Sequence, residues 1–216
     1  RVWMQESVSP QTCYKHRPGR WVAESTWPSP RIQNQKLFLG RSGQLASATS
    51  AGGVATICSP LGVGLTAGEV GRYGDAADWA TDQREDAGGS LLFVSEPLEE
   101  RTEILGAPQL HLRFSSDKPH ALVAVRLNDV APDGSSTRVT VGLLNLTHRQ
   151  GHEYPIALVP GNWTDVIVDL DDVAHAFPPS HRIAVSISTT YWPIAWPSPE
   201  LATVSVGLGE SYLVLP

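Results

Sequence analysis

What most restricts this chain is the spacing of its apolar residues. They almost never recur at helical intervals, whereas short β-branched or aromatic runs recur again and again, each closed by Pro, Gly, Asp or Asn. Ten segments read as strands: Lys36–Leu39, Gly53–Ile57, Ser90–Val94, Gln109–Phe114, Ala121–Val130, Thr137–Leu146, Thr164–Asp169, Arg182–Thr189, Ala202–Val206 and Ser211–Val214. In Leu122-Val123-Ala124-Val125-Arg126-Leu127 and in residues 182–188, apolar side chains partly alternate with small or polar ones, the period of a strand with one buried face. Pro132-Asp133-Gly134 has the chemistry of a tight turn, with φ fixed by Pro, an Asx closure from Asp and φ > 0 open to Gly. A single short helical turn is expected at Asp171–Phe177, stopped by Pro178-Pro179. Many short strands with little helix predict an all-β antiparallel sandwich.

At 216 residues the chain is large enough for one domain with an added arm, and a core of that size needs neither disulfides nor metal. We divide it into an extended N-terminal arm, residues 1–40, and a sandwich, residues 41–216. The formal net charge is −6, which argues against a nucleic-acid partner. Residues 1–68 carry seven Lys/Arg and two acids, whereas the remainder carries nine and twenty, so the arm is expected to lie along the acidic part of its own chain or across a neighbouring domain. No apolar run approaches the ~20 residues that span a bilayer, and the amino end of the sequence lacks a signal-peptide core. The expectation is therefore a cytoplasmic domain with free thiols at Cys13 and Cys58, and the start at Arg1 suggests a piece of something longer.

Residues 60–89 stand apart. Gly62, Gly64, Gly68, Gly71, Gly74, Gly88 and Gly89 are interspersed with Asp75, Asp78, Asp82, Glu85 and Asp86, as in a long surface excursion between two strand systems. Loops that long are often functional or lie against a partner.

The search for chemistry is mostly negative. Gly40-Arg41-Ser42-Gly43 has the wrong spacing for a nucleophile elbow, and Gly62-Val63-Gly64 with Gly68 lacks the βαβ unit of a dinucleotide loop. His148 and His152, with Glu153 beside them, have the i, i+4 spacing of metal ligands, but Gly151 and Pro155 break the helix that would make them converge, so a solvated loop is expected. Asp169, Asp171 and Asp172 match an acidic strand end as well as a calcium site. The sequons at Asn145 and Asn162 matter only in a secreted chain. No catalytic set, metal site or cofactor is expected. Seven tryptophans, Trp3, Trp21, Trp27, Trp79, Trp163, Trp192 and Trp196, suit a core, a domain interface or a sugar-stacking platform.

Eight stretches in order carry a resemblance: Pro18-Gly19-Arg20-Trp21 with Glu24 and Trp27-Pro28; Asp82-Gln83-Arg84 with Asp86; Leu91 to Leu98; Ile104 to Pro108; Asp129 to Ser135; Leu144 to Arg149; Pro178 to Arg182; and Trp196-Pro197-Ser198-Pro199. Together they resemble the C-terminal non-catalytic domain of serine hydrolases of the X-Pro dipeptidyl-peptidase and cocaine-esterase type. The resemblance implies a jelly-roll β-sandwich, similar to galactose-binding domains, attached after an α/β-hydrolase domain that holds the whole catalytic triad. It implies an accessory role for this chain: packing on that N-terminal hydrolase domain of the same polypeptide and walling part of its substrate cleft. A carbohydrate-binding module is the other reading, since the same architecture hosts lectin-like sites.

Two irregular segments are the candidates for meeting the partner. Tyr191, Trp192 and Trp196 lie in a loop between two strands, stiffened by three prolines, and Leu65 and Trp79 lie in the glycine-rich excursion. Either surface, if left exposed in the chain alone, offers an apolar patch on which copies of the chain can associate.

Overall fold

Period-two burial governs the computed structural model, which describes residues 1–49, 52–68 and 79–216. The strands are β1 (Val2–Glu6), β2 (Gly19–Val22), β3 (Gln35–Leu39), β4 (Leu45–Ala46), β5 (Gly53–Ile57), β6 (Leu91–Val94), β7 (Thr102–Gly106) and β8 (Gln109–Ser116). They continue with β9 (Leu122–Val130), β10 (Ser136–Asn145), β11 (Thr164–Asp169), β12 (Val173–Phe177), β13 (Arg182–Ser188), β14 (Val204–Leu208) and β15 (Tyr212–Leu215). Among the described residues one α-helical turn, α1 (Arg84–Ala87), interrupts them.

Three sheets form an all-β sandwich. The largest has the order β4-β3-β15-β8-β14-β5, with β11 on the free edge of β8; the second is β10-β9-β13-β6; the third is β2-β1-β12-β7. Alternate residues of the second sheet, Val123, Val125 and Leu127 with Ile183, Val185 and Ile187, pack against Leu110, Leu112, Phe114, Val204, Val206 and Leu213 of the first. Strands β14 and β15 run end to end along one edge of β8. Five residues, 207–211, lie there opposite only Leu112 and Arg113. The break is sealed by Ser211, whose hydroxyl accepts from the Arg113 amide at 3.0 Å, and by a return of the chain at Gly209, where φ is +78°.

The expected helix at Asp171–Phe177 is instead β12, paired in parallel with β1 and antiparallel with β7. Its two alanines favour a helix locally, yet alternate residues have opposite destinations. Ala174 and Ala176 pack on Met4, while Phe177 enters the main core and His175 turns to a buried carboxylate. That two-faced demand can be met only by a strand. Strands β1, β2, β4 and β7 also escape the sequence reading; β4 is only two residues long, and β1 is fixed by its pairing with β12 and β2.

Residues 1–40 are tied in by backbone pairing at both ends, β1 to β12 and β3 to β15. The ion pairs of this region, Arg20 with Glu103 at 2.6 Å and Arg101 with Glu6 at 2.7 Å, are partly exposed and so contribute little beside the strand hydrogen bonds.

Asp129, at the end of β9, joins three elements. Its buried carboxylate accepts from His175 Nε2 at 3.1 Å and from His181 Nδ1 at 2.7 Å, and Ser7, just after β1, lines the same small pocket. Beside it the Thr137 hydroxyl donates to the Val8 carbonyl at 2.7 Å. Burial pushes the Asp129 carboxyl up, but the bonds from His175 and His181 outweigh it and hold the group below its ordinary range. A depressed folded-state value means that the carboxylate's contribution is complete above the unfolded value and is lost as pH falls through the folded one. We expect Asp129→Ala to lower unfolding stability by about 3 kcal/mol, as for a broken buried network. Urea unfolding followed from pH 7 down to pH 3 should show the wild type converging on the variant as acid is added; parallel curves would contradict this account.

Candidate functional site

The outward face of β9 and β13 carries Ala124, Arg126 and Asn128 beside Ala184, Ser186 and Ser188, and all six are buried. The described part of the glycine-rich excursion covers part of this face, with Val63 and Ala67 packed on Ala124 and Asp86 reaching Arg126, while Leu61 and Leu65 stay exposed; Gly71, Gly74, Asp75 and Asp78 lie outside the described residues. Two reciprocal bonds start the cover: the Ser59 amide donates to Thr189 Oγ1 at 2.9 Å, and the Thr189 amide to Ser59 Oγ at 3.0 Å. Next, the Thr190 hydroxyl donates to the Pro60 carbonyl at 2.7 Å and the Trp192 amide to the Val63 carbonyl at 2.9 Å. Gly64 then passes so close, at φ +111°, that a Cβ would stand 2.3 Å from the Trp192 carbonyl oxygen.

Beneath this cover lies a polar cluster. The turn α1 aims Asp86 inward, where it accepts from the Gly64 amide at 2.8 Å and the Thr66 hydroxyl at 2.5 Å. Gln83 Nε2 donates to the Thr66 and Thr81 carbonyls at 3.1 and 2.9 Å. Arg126, fully buried, donates through Nη2 to Ser90 Oγ at 2.5 Å and has its guanidinium 5.2 Å from the centre of the Tyr191 ring, with Asp86 at 3.8 Å. Burial pushes the Arg126 guanidinium down, and Tyr191 and Asp86 push it back. Arg138 donates to the Tyr191 hydroxyl at 2.8 Å.

The five residues singled out from the sequence do not share one surface. Tyr191 is 0% exposed and clamped between Arg126 and Arg138, so it anchors the loop and lines nothing. Trp192 and Trp196, rising from that anchor, meet edge to face at 5.3 Å. Trp196 is 80% exposed and Leu65, beside the Gly64 contact, 67%. Next to Trp196 runs a groove of about 410 Å³ lined by Leu122, Leu143, Leu144, Pro197 and Pro199. Trp79 belongs elsewhere: its amide donates to the Thr12 carbonyl at 2.9 Å, its ring meets Tyr14 at 6.0 Å, and it edges a pocket of about 550 Å³ with Trp3, Arg17, Trp27 and Asp172. The sequence reading names Arg126, Asp86 and Gly64 only as parts of a strand, an excursion and a glycine motif, and gives them no role in a site. The available signal was an arginine at the centre of an otherwise apolar strand, which requires internal partners.

Asp129 with its two histidines has two parts of an acyl-transfer triad, but among the described residues no hydroxyl or thiol is hydrogen bonded to an imidazole. No cluster of three or more His, Cys, Asp or Glu able to hold a metal occurs among them. Asp169 accepts from Gln109 Nε2 at 2.7 Å and takes the role of a strand-pairing partner.

Residues 1–212 match the family described as the X-Pro dipeptidyl-peptidase C-terminal non-catalytic domain. Cocaine esterase of Rhodococcus sp. (strain MB1 Bresler) is 25% identical over 186 residues, covering 80% of this chain and 32% of that protein. The crystal structure of an aminopeptidase from a marine sediment archaeon, Thaumarchaeota archaeon, superposes with a TM-score of 0.77 at 21% identity, over 91% of this chain and 38% of that one. An α-amino acid ester hydrolase gives 0.72 at 25% identity, over 85% and 36%. The chain thus spans roughly a third of the length of each, at 32%, 38% and 36%.

Gly64 offers a direct check on the cover. We expect Gly64→Ala to lower stability by about 2 kcal/mol or more, since both the positive φ and the backbone of Trp192 oppose a side chain. Urea unfolding followed by tryptophan emission should show the loss. An unchanged midpoint would mean that the cover and the tryptophan loop are not coupled.

Proposed function

The chain belongs to the family of X-Pro dipeptidyl-peptidase C-terminal non-catalytic domains, and we propose that it packs on an α/β-hydrolase domain of the same polypeptide through Leu65, Trp192 and Trp196, forming part of the wall of that domain's substrate cleft. The observation that carries this reading is an exposed pair of indoles on a loop whose base is locked. Pro193, Pro197 and Pro199 restrict the loop, the Ala195 amide bonds the Tyr191 carbonyl at 2.8 Å, and Tyr191 is fixed by two arginines. Rigid aromatic groups can be buried against a partner with little further loss of entropy. Left in water, the same groups form an apolar patch of the kind that marks an interaction surface. Interdomain interfaces bury about 600–1,500 Å², which leaves room for Trp79 to form a separate contact with the same partner.

In this reading the reaction is hydrolysis of an acyl ester or an X-Pro peptide, the nucleophile, base and acid all come from the partner, and this chain orders the cleft. The two cysteines are free and exposed, which fits a reducing, cytoplasmic setting.

Tryptophan emission tests the interface. In the chain alone, iodide should quench Trp196 along with the other exposed indoles, Trp21 and Trp27 among them, and the difference between the parent and Trp196→Ala isolates the Trp196 share. Fused to its hydrolase domain, the same residue should become protected; continued quenching there would place the interface elsewhere. Quenching by an oligosaccharide in the chain alone would favour a carbohydrate-binding module instead, and concentration-dependent loss of the signal would favour self-association.

The chain alone is also expected to leave p-nitrophenyl esters and X-Pro p-nitroanilides intact, because acyl transfer needs a nucleophile within reach of a base. Turnover that a serine-directed phosphonate abolishes would refute the non-catalytic assignment of its residues.

A further inference from the structure

The sequence reading expects a solvated loop at His148 and His152, because no helix brings them together. The structure brings them together without one. A short 3-10 turn, Leu146–His148, is capped by Asn145, whose Oδ1 accepts from both the amide and the hydroxyl of Thr147 at 3.1 and 2.9 Å. The chain then doubles back at Gly151, at φ +136°, whose amide donates to the His148 carbonyl at 2.9 Å. Arg149 fastens the far side through Nη1, which donates to the carbonyls of Leu146 at 3.1 Å and Ile156 at 2.6 Å. The result is that Nδ1 of His148 and Nδ1 of His152 stand 3.1 Å apart on the surface.

We propose that His148 and His152 form a two-point chelate for a divalent metal ion of the zinc, nickel or copper class, with water in the remaining positions. With metal–nitrogen bonds of about 2.0–2.1 Å, two ligand nitrogens stand about 2.9 Å apart at a right angle and about 3.3 Å apart at a tetrahedral one. The observed 3.1 Å lies between the two. Imidazole nitrogens select this class of metal over calcium and magnesium, which require oxygen ligands. The turn is held by bonds that do not involve either ring, so the two nitrogens already stand at chelating distance and metal binding needs only a rotation of the rings. The charged neighbours are Arg149, whose guanidinium is directed at the loop carbonyls, and Glu153, next to His152 in sequence.

The protons balance. In the neutral pair one Nδ1–H donates to the lone pair of the other Nδ1. Metal binding uses both Nδ1 lone pairs, so the donor ring gives up its Nδ1 proton to water and takes one at Nε2. Both rings end as neutral Nε2–H tautomers, with no net proton released.

Nickel(II) is the probe, titrated by calorimetry into the chain carrying Cys13→Ser and Cys58→Ser, which removes both thiols as competing ligands. One nickel per chain should bind with a dissociation constant of about 100 μM or tighter. Either His148→Ala or His152→Ala should weaken it at least about tenfold, the mark of a lost ligand. Both positions are on the surface, and circular dichroism and the thermal midpoint without metal should match the parent. Nickel should raise the midpoint of the parent and leave that of the variants unchanged, and calcium should raise neither. Absence of saturable uptake, equal uptake in the single variants, or uptake that disappears with the cysteines would each overturn the proposal.

Discussion

A strand without a solvent-facing side sets the terms for everything around β9. One face supplies Val123, Val125 and Leu127 to the core, which is ordinary for a sandwich; the other carries Arg126 and Asn128, and these too are sealed from water. A desolvated guanidinium is costly unless charge, hydrogen bond and polarisable surface are brought to it. Asp86, Ser90 and Tyr191 supply those three. Two of them come from the chain that covers the sheet and the third from the loop after β13. One buried cation therefore fixes the positions of both segments, and with them the orientation of Leu65, Trp192 and Trp196. The exposed apolar end has its place because of a polar cluster beneath it.

The parts of this arrangement differ in how far they can be read from the chain. Long strands with apolar alternation, such as β8, β9, β10 and β13, are legible because packing on one core imposes a period on consecutive side chains. Strand β12 is not, because its residues serve three different environments and its alanines carry the local propensity of a helix. Strand β1 takes its structure from distant pairing with β12, and β2 in turn pairs with β1, information that no local window contains.

The candidate site shows the same division. The tryptophan loop is visible from its prolines and indoles. That Tyr191 faces inward depends on Arg126 and Arg138, some fifty residues away or more, and that Trp79 joins Tyr14 and Arg17 rather than Leu65 depends on how the first residues return to the sheet. The uneven charge of the chain is likewise a weak guide. Opposite charges do meet in Arg20–Glu103 and Arg101–Glu6, yet both pairs are partly solvated, and backbone pairing holds the first forty residues.

The end-to-end course of β14 and β15 along β8 has a consequence for how the protein comes into being on the ribosome. Strand β8 is central to the largest sheet, but the whole of one edge waits for residues 204–215, about ninety positions later. Until those residues clear the exit tunnel, β8 can pair only with β11, β3 has only the two-residue β4 beside it, and β5 has no strand to join. Assembly of this sheet is therefore a late, long-range event. It belongs to the slow regime of non-local topologies, and the nascent chain carries open strand edges throughout its synthesis.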